Sequence, residues 1–156
     1  MRFQNRPMEP ADAEVISHWR YSPPYNFYDL DADPDDLIEF MDTGRWTDEP
    51  HWAFDDESGL LAGFLTAQVQ PGGVYMGLGL RPDLTGRGIG VSFMEACLEV
   101  LRHQWPRHTL RLDVALFNQR AIRVYERTGF MPLGTFWQDT NGGRYEFLAM
   151  QRKEED

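Results

Sequence analysis

The segment Leu80-Arg-Pro-Asp-Leu-Thr-Gly-Arg-Gly-Ile-Gly90 constrains this chain most, because an apolar strand there runs into a glycine-alternating turn and then directly into an amphipathic helix. Without a Cβ, Gly86, Gly88 and Gly90 let the backbone turn several N–H groups onto one point, and the helix behind them adds unpaired amide donors and its positive dipole end. Such a turn is a cradle for an anion, and a pyrophosphate suits it. A dinucleotide fingerprint needs glycine at relative positions one, three and six, but the sixth place is Val91 counting from Gly86 and Pro82 counting from Gly77. A P-loop needs Lys-Ser/Thr after its glycines, and Val91-Ser92 follows here. What remains is a loop of backbone donors, with Arg87 able to add charge.

The rest of the chain frames that turn. Residues 2–8 read as a first strand, and residues 10–20 as a helix with proline near its first turn. Residues 21–30 are rich in aromatics and prolines without a period, and read as an ordered loop. Asp33 caps a second helix that begins with Pro34 and stops at Gly44. Residues 51–55, 60–70 and 74–80 read as three antiparallel strands joined by tight turns. Val91, Met94, Cys97, Leu98 and Leu101 recur at helical spacing over residues 88–104, and residues 109–116 return to alternation. Asn118 opens a fourth helix that ends at Gly129, and residues 131–139 and 145–151 form a last hairpin. The order β-α-α-β-β-β-α-β-α-β-β predicts an α+β fold of about seven strands and four helices. One domain over residues 1–152 is expected, with residues 153–156 as a frayed tail.

A net charge of −10 opposes the phosphate-neutralising surface that a nucleic-acid partner requires. No stretch approaches the roughly 20 apolar residues of a membrane span, and the single Cys97 has no internal disulfide partner. A cytoplasmic setting follows as an expectation. Cys97 falls on a buried stripe, as an inert thiol does. His18, His51, His103 and His108 lack ligand spacing, so no metal is expected.

Two motifs carry a family resemblance. Thr85-Gly-Arg-Gly-Ile-Gly90 is similar to the pyrophosphate loop of the GNAT superfamily of acetyl-CoA-dependent N-acetyltransferases, with Thr85 where the family has Arg or Gln. The block Val114-x-x-x-Asn118-x-x-Ala121-x-x-x-Tyr125-x-x-x-Gly129-Phe130 resembles the family's later strand-to-helix unit. The resemblance implies a mostly antiparallel twisted sheet splayed after strand four. It implies acetyl-CoA held by Leu78, Gly79, Leu80, Thr85, Gly86, Arg87, Gly88, Ile89, Gly90, Asn118 and Tyr125, and direct transfer to a primary amine.

The resemblance also suggests roles for single residues. Periodicity alone places Tyr125 against the sheet, whereas the family's matching tyrosine protonates the leaving thiolate. Asn118 is equally a helix cap. Asp113 corresponds to the general base of ribosomal-protein N-terminal acetyltransferases, or is a strand carboxylate paired with Arg111 or Arg127. Strand four, where many members carry the base, contains no carboxylate; Tyr28, Asp29 and Glu146 are further candidates. Tyr25, Phe27, Tyr28 and Asp29 are expected to wall the acceptor, a small-molecule or peptide amine. A homodimer is compatible with the chain. The rival readings are a protein N-terminal or lysine acetyltransferase and a non-catalytic CoA-binding module.

Overall fold

The computed structural model describes residues 1–153; the expected tail lies outside the described residues from residue 154 onward. Strands β1 (Gln4–Pro7), β2 (His51–Asp55), β3 (Leu61–Gln70), β4 (Gly73–Leu80), β5 (Leu110–Ala115), β6 (Met131–Thr140) and β7 (Gly143–Arg152) form one sheet in the order β1-β2-β3-β4-β5-β7-β6. Helices α1 (Pro10–Ser17), α2 (Pro34–Met41), α3 (Gly90–Gln104) and α4 (Gln119–Arg127) pack on it. Among the described residues no helix is long and apolar enough to cross a membrane.

Local chemistry accounts for most element ends. Asp33 caps α2 by accepting from the Asp35 and Asp36 amides, and Pro34 needs no donor at the first helical position. Asn118 Oδ1 caps α4 by accepting from Ala121 N at 3.2 Å. The last hairpin turns on Asn141 and Gly142 alone, both at positive φ (52° and 74°), so its strands run longer than the five-residue turn expected from sequence. Helix α1 stops at Ser17 rather than residue 20, and the predicted loop after it contains short 3-10 turns at Tyr25–Tyr28 and Leu30–Ala32.

The sheet is covered on both faces. Phe54, Leu65, Phe93, Leu98, Leu101, Leu110 and Met150 belong to the core on the α3/α4 side. Met8, Ala13, Ile16, Phe40 and Ala53 form a smaller cluster under α1 and α2. Arg6 ties β1 to both α1 and β2 through Asp12 (2.6 Å) and Asp55 (2.8 Å). Phe93 and Val100 are buried as well as the stripe read from sequence, because α3 is packed on more than one side.

One strand pair opens the sheet. β4 and β5, its parallel neighbours, pair only at Val74↔Leu110 and Tyr75↔Arg111. Beyond that point β4 stays with β3 as far as Leu80↔Gly63, and β5 stays with β7 as far as Ala115↔Phe147. A gap is left between residues 76–80 and 112–115. The β3–β4 register runs without a bulge, and glycine at position 79 allows a close approach, since a Cβ there would run into the Phe64 ring.

Candidate active site

The gap between β4 and β5 holds a cavity of about 600 Å³ that reaches both faces of the sheet. On one face it is lined by the glycine turn and α4, and on the other by the loop after α1, the tip of the last hairpin and Asp113.

On the first face Gly86 and Gly88 sit at φ +71° and +73°, a left-handed backbone that turns consecutive amides the same way. Helix α3 begins without a side-chain cap, so its first-turn N–H groups remain open for an anion. Arg120, Arg123 and Arg127 of α4 line the same wall, and Arg120 Nη1 would lie 3.0 Å from a Cβ on Gly86. This donor set fits a diphosphate. Thr85 lines the cavity but spends its hydroxyl on Pro82 O at 2.7 Å, which shapes the turn. Arg87 and Ile89 do not line the cavity, and Arg87 Nη1 donates instead to Asp83 O at 3.4 Å. Of the residues singled out from sequence for the cofactor, Leu78, Gly79, Leu80, Gly86, Gly88, Gly90, Asn118 and Tyr125 line the cavity.

Tyr125 stands in the gap between the two halves. Burial pushes its phenol well above the ordinary value, with Tyr28 and Cys97 adding to the shift, so it stays protonated at neutral pH. Among the described residues its hydroxyl makes no hydrogen bond. Cys97 behind it is fully buried, and desolvation raises its thiol strongly, so it is inert.

On the second face Asp113 borders the cavity, and among the described residues its side chain makes no ion pair or hydrogen bond, so the pairing with Arg111 or Arg127 weighed from sequence is not formed. Its surroundings desolvate it and raise its carboxyl pKa; the nearby Arg111 charge opposes the shift only in part. Glu146 does not reach the cavity. Phe27 anchors an aromatic cluster with Tyr145 (4.8 Å), Tyr28 (5.1 Å) and Phe117 (5.5 Å). Tyr25 leans across to the first face, where Arg120 stacks on its ring at 4.0 Å. Asp29 accepts from Tyr21 N at 2.9 Å and so holds the loop's shape. Nearby, Asp31 pairs with Arg20 and Asp33 caps α2.

The loop is strapped to the hairpin tip. Asp33 Oδ2 accepts from Thr140 Oγ1 (2.9 Å) and Asn141 N (3.2 Å), while Asn141 Nδ2 donates to Phe27 O at 2.6 Å. Phe27, Thr140 and Asn141 all line the cavity, so these bonds close one side of it.

Sequence reasoning missed Tyr21, Asp36, the strap and the α4 arginines. Tyr21 is buried against the end of β4 and donates to Leu80 O at 2.6 Å, a contact across 59 residues that no local pattern announces. The arginines did leave a signal, since positions 120, 123 and 127 recur at helical spacing beside the apolar stripe.

A mostly antiparallel sheet splayed beside a glycine turn and an uncapped helix defines the acyltransferase architecture. Residues 14–130 match the model of the acetyltransferase (GNAT) family, and the chain belongs to that family. The mycothiol acetyltransferase of Propionibacterium freudenreichii subsp. shermanii is 33% identical over 85 residues, which are 51% of this chain and 27% of that protein. This chain therefore matches about a quarter of the relative's length. Among solved structures, the spermidine N-acetyltransferase of Vibrio cholerae in complex with CoA and spermine superposes with a TM-score of 0.77 at 17% identity, over 97% of this chain and 95% of that one. The ribosomal-protein-S5-alanine acetyltransferase of Vibrio fischeri gives 0.70 at 15% identity, over 100% and 95%. At that identity the likeness is one of fold.

Proposed function

We propose that this chain transfers the acetyl group of acetyl-CoA directly to a primary amine of a small molecule. The observation that carries the reading is the polarity of a single cavity. Its α4 wall presents Arg120, Arg123 and Arg127, while Asp29, Asp36 and Asp113 face the other side. An anionic donor suits the first wall and a cationic amine the second, and the gap between β4 and β5 joins them. The aromatic cluster around Phe27 favours an acceptor whose amine is carried on an apolar or aromatic body. The strap from Asp33 and Phe27 to Asn141 closes one side of the cavity, and a narrower mouth favours a small molecule over a protein N-terminus or lysine. The V. cholerae neighbour, crystallised with CoA and spermine, is consistent with such a pairing.

Acetyl-CoA supplies an activated thioester; the chain's residues position it and move protons. The glycine turn and the α4 arginines hold the diphosphate. Asp113 takes a proton from the acceptor ammonium, freeing the nitrogen lone pair that forms the C–N bond. As the C–S bond breaks, sulfur leaves with its electron pair and receives a proton from Tyr125; the second proton shed by the nitrogen as the amide forms restores the Tyr125 phenol, and Asp113 passes its proton to solvent. Because burial keeps that phenol protonated, the proton is available at neutral pH.

Thiol release from acetyl-CoA tests the reading, with 1,4-diaminobutane, 2-phenylethylamine and a peptide with a free N-terminus as acceptors. Release with the small amines is expected. Release with the peptide alone would favour the protein-directed alternative, and a CoA-dependent rise in Tm without amine-dependent release would favour a binding module. Tyr125→Phe should lower kcat about 10²-fold while leaving acetyl-CoA affinity nearly unchanged, because the phenol lies away from the phosphate cradle. Unaltered turnover would remove Tyr125 from the mechanism.

A further inference from the structure

Tyr28 differs from its aromatic neighbours in how its hydroxyl is held. Its Oη accepts a hydrogen bond from Ala115 N at 3.1 Å, at the end of β5, which fixes the oxygen and leaves the phenol its own proton to donate. Among the described residues nothing accepts it, and Tyr28 borders the cavity.

A phenol held through its oxygen, kept protonated by burial and with its proton unclaimed, fits one reactant better than the other. An amine poised to attack needs acceptors for its N–H bonds, whereas the thioester gains negative charge, first on oxygen and then on sulfur, and needs donors. Tyr28 also stands close enough to Tyr125 to influence its phenol electrostatically. We propose that Tyr28 is a fixed hydrogen-bond donor to the acetyl thioester during transfer, and not a part of the acceptor wall. The inference rests on the acetyl-transfer reading above. Tyr28 keeps its proton throughout, while the proton that reaches sulfur comes from Tyr125.

The phenols facing Tyr28 are Tyr25 of its own loop and Tyr125 of α4. Tyr28→Phe keeps the ring packing on Phe27 and Phe117 and removes only the hydroxyl. In the full chain, with whichever of 1,4-diaminobutane and 2-phenylethylamine turns over, kcat should fall about 10²-fold with both KM values held within about twofold. A raised amine KM with kcat intact would overturn the proposal and return Tyr28 to the acceptor wall. Because Tyr28→Phe also strands the Ala115 amide, fluorotyrosine at position 28 provides a fold-neutral check. It lowers the phenol pKa at constant shape, so the alkaline fall in kcat should move to lower pH. A limb that does not move overturns the proposal. If the unmodified chain releases no thiol with either amine, the acetyl-transfer reading fails first, an outcome distinct from an active Tyr28→Phe variant.

Discussion

Asp113→Asn should lower kcat at pH 7 by about 10²- to 10³-fold, because the amide keeps the shape of the carboxylate and loses the ability to take a proton. In the unsubstituted chain kcat/KM should rise with pH through an apparent pKa above the ordinary carboxylate value, since desolvation raises Asp113. That acid limb should be absent from the Asn variant. Stability should move the other way. A carboxyl whose folded pKa exceeds its unfolded value is disfavoured in its charged form by folding; the cost is complete above the folded pKa and gone below the ordinary 3.8. At pH 7 the variant should therefore keep or raise its Tm while losing activity. A variant with undiminished kcat and an unchanged pH profile would exclude Asp113 as the base.

The largest expected effect on stability belongs to Phe93. It is 1% exposed and packs edge-on against both Phe3 and Phe54, with ring centroids 5.3 Å away in each case. The ring also fills the space left by Gly63, where a Cβ would lie 2.6 Å from it, so β3 and α3 meet through this contact. Phe93→Ala should cost about 3–5 kcal/mol and lower Tm by roughly 10–15 °C, as read by urea and thermal denaturation. Phe93→Leu should recover much of that loss. A Tm within a few degrees of the parent would mean that the surrounding rings collapse into the space.

Much of this was legible in the linear chain because the responsible forces are local. The cap at Asp33, the cap at Asn118 and the positive φ of Gly86 and Gly88 each act within a few residues and appear where expected, whereas Gly90 is the first helical residue of α3. Boundaries drifted where tertiary contacts compete with local signals. Helix α1 ends at Ser17, short of residue 20, as Trp19 turns to pack against Phe64. Arg87 looked like a phosphate ligand from its place in the turn, but the turn directs it to Asp83 O and leaves the cationic wall to α4.

The acceptor half was the least legible. Tyr25, Phe27, Tyr28 and Asp29 were identified together as one wall, yet all four do different things. Tyr25 stacks under Arg120, Phe27 anchors the aromatic cluster, Tyr28 hangs from Ala115, and Asp29 braces the loop through Tyr21. Those partners lie up to 118 residues apart in the chain, and no periodicity encodes them.

The glycine turn and the Asn118–Phe130 block, with the alternation of strands and helices around them, were enough to specify an open α+β sheet carrying a pyrophosphate cradle. Backbone conformation, capping and periodicity are set by neighbouring residues, so they survive in a one-dimensional reading. The splay between β4 and β5, the polarity of its two walls, the place of Asp113 at the cavity and the anchoring of the Tyr28 hydroxyl on Ala115 depend on which distant groups meet. Only packing settles those, because each follows from a competition for space and hydrogen-bond partners that exists once the sheet has closed.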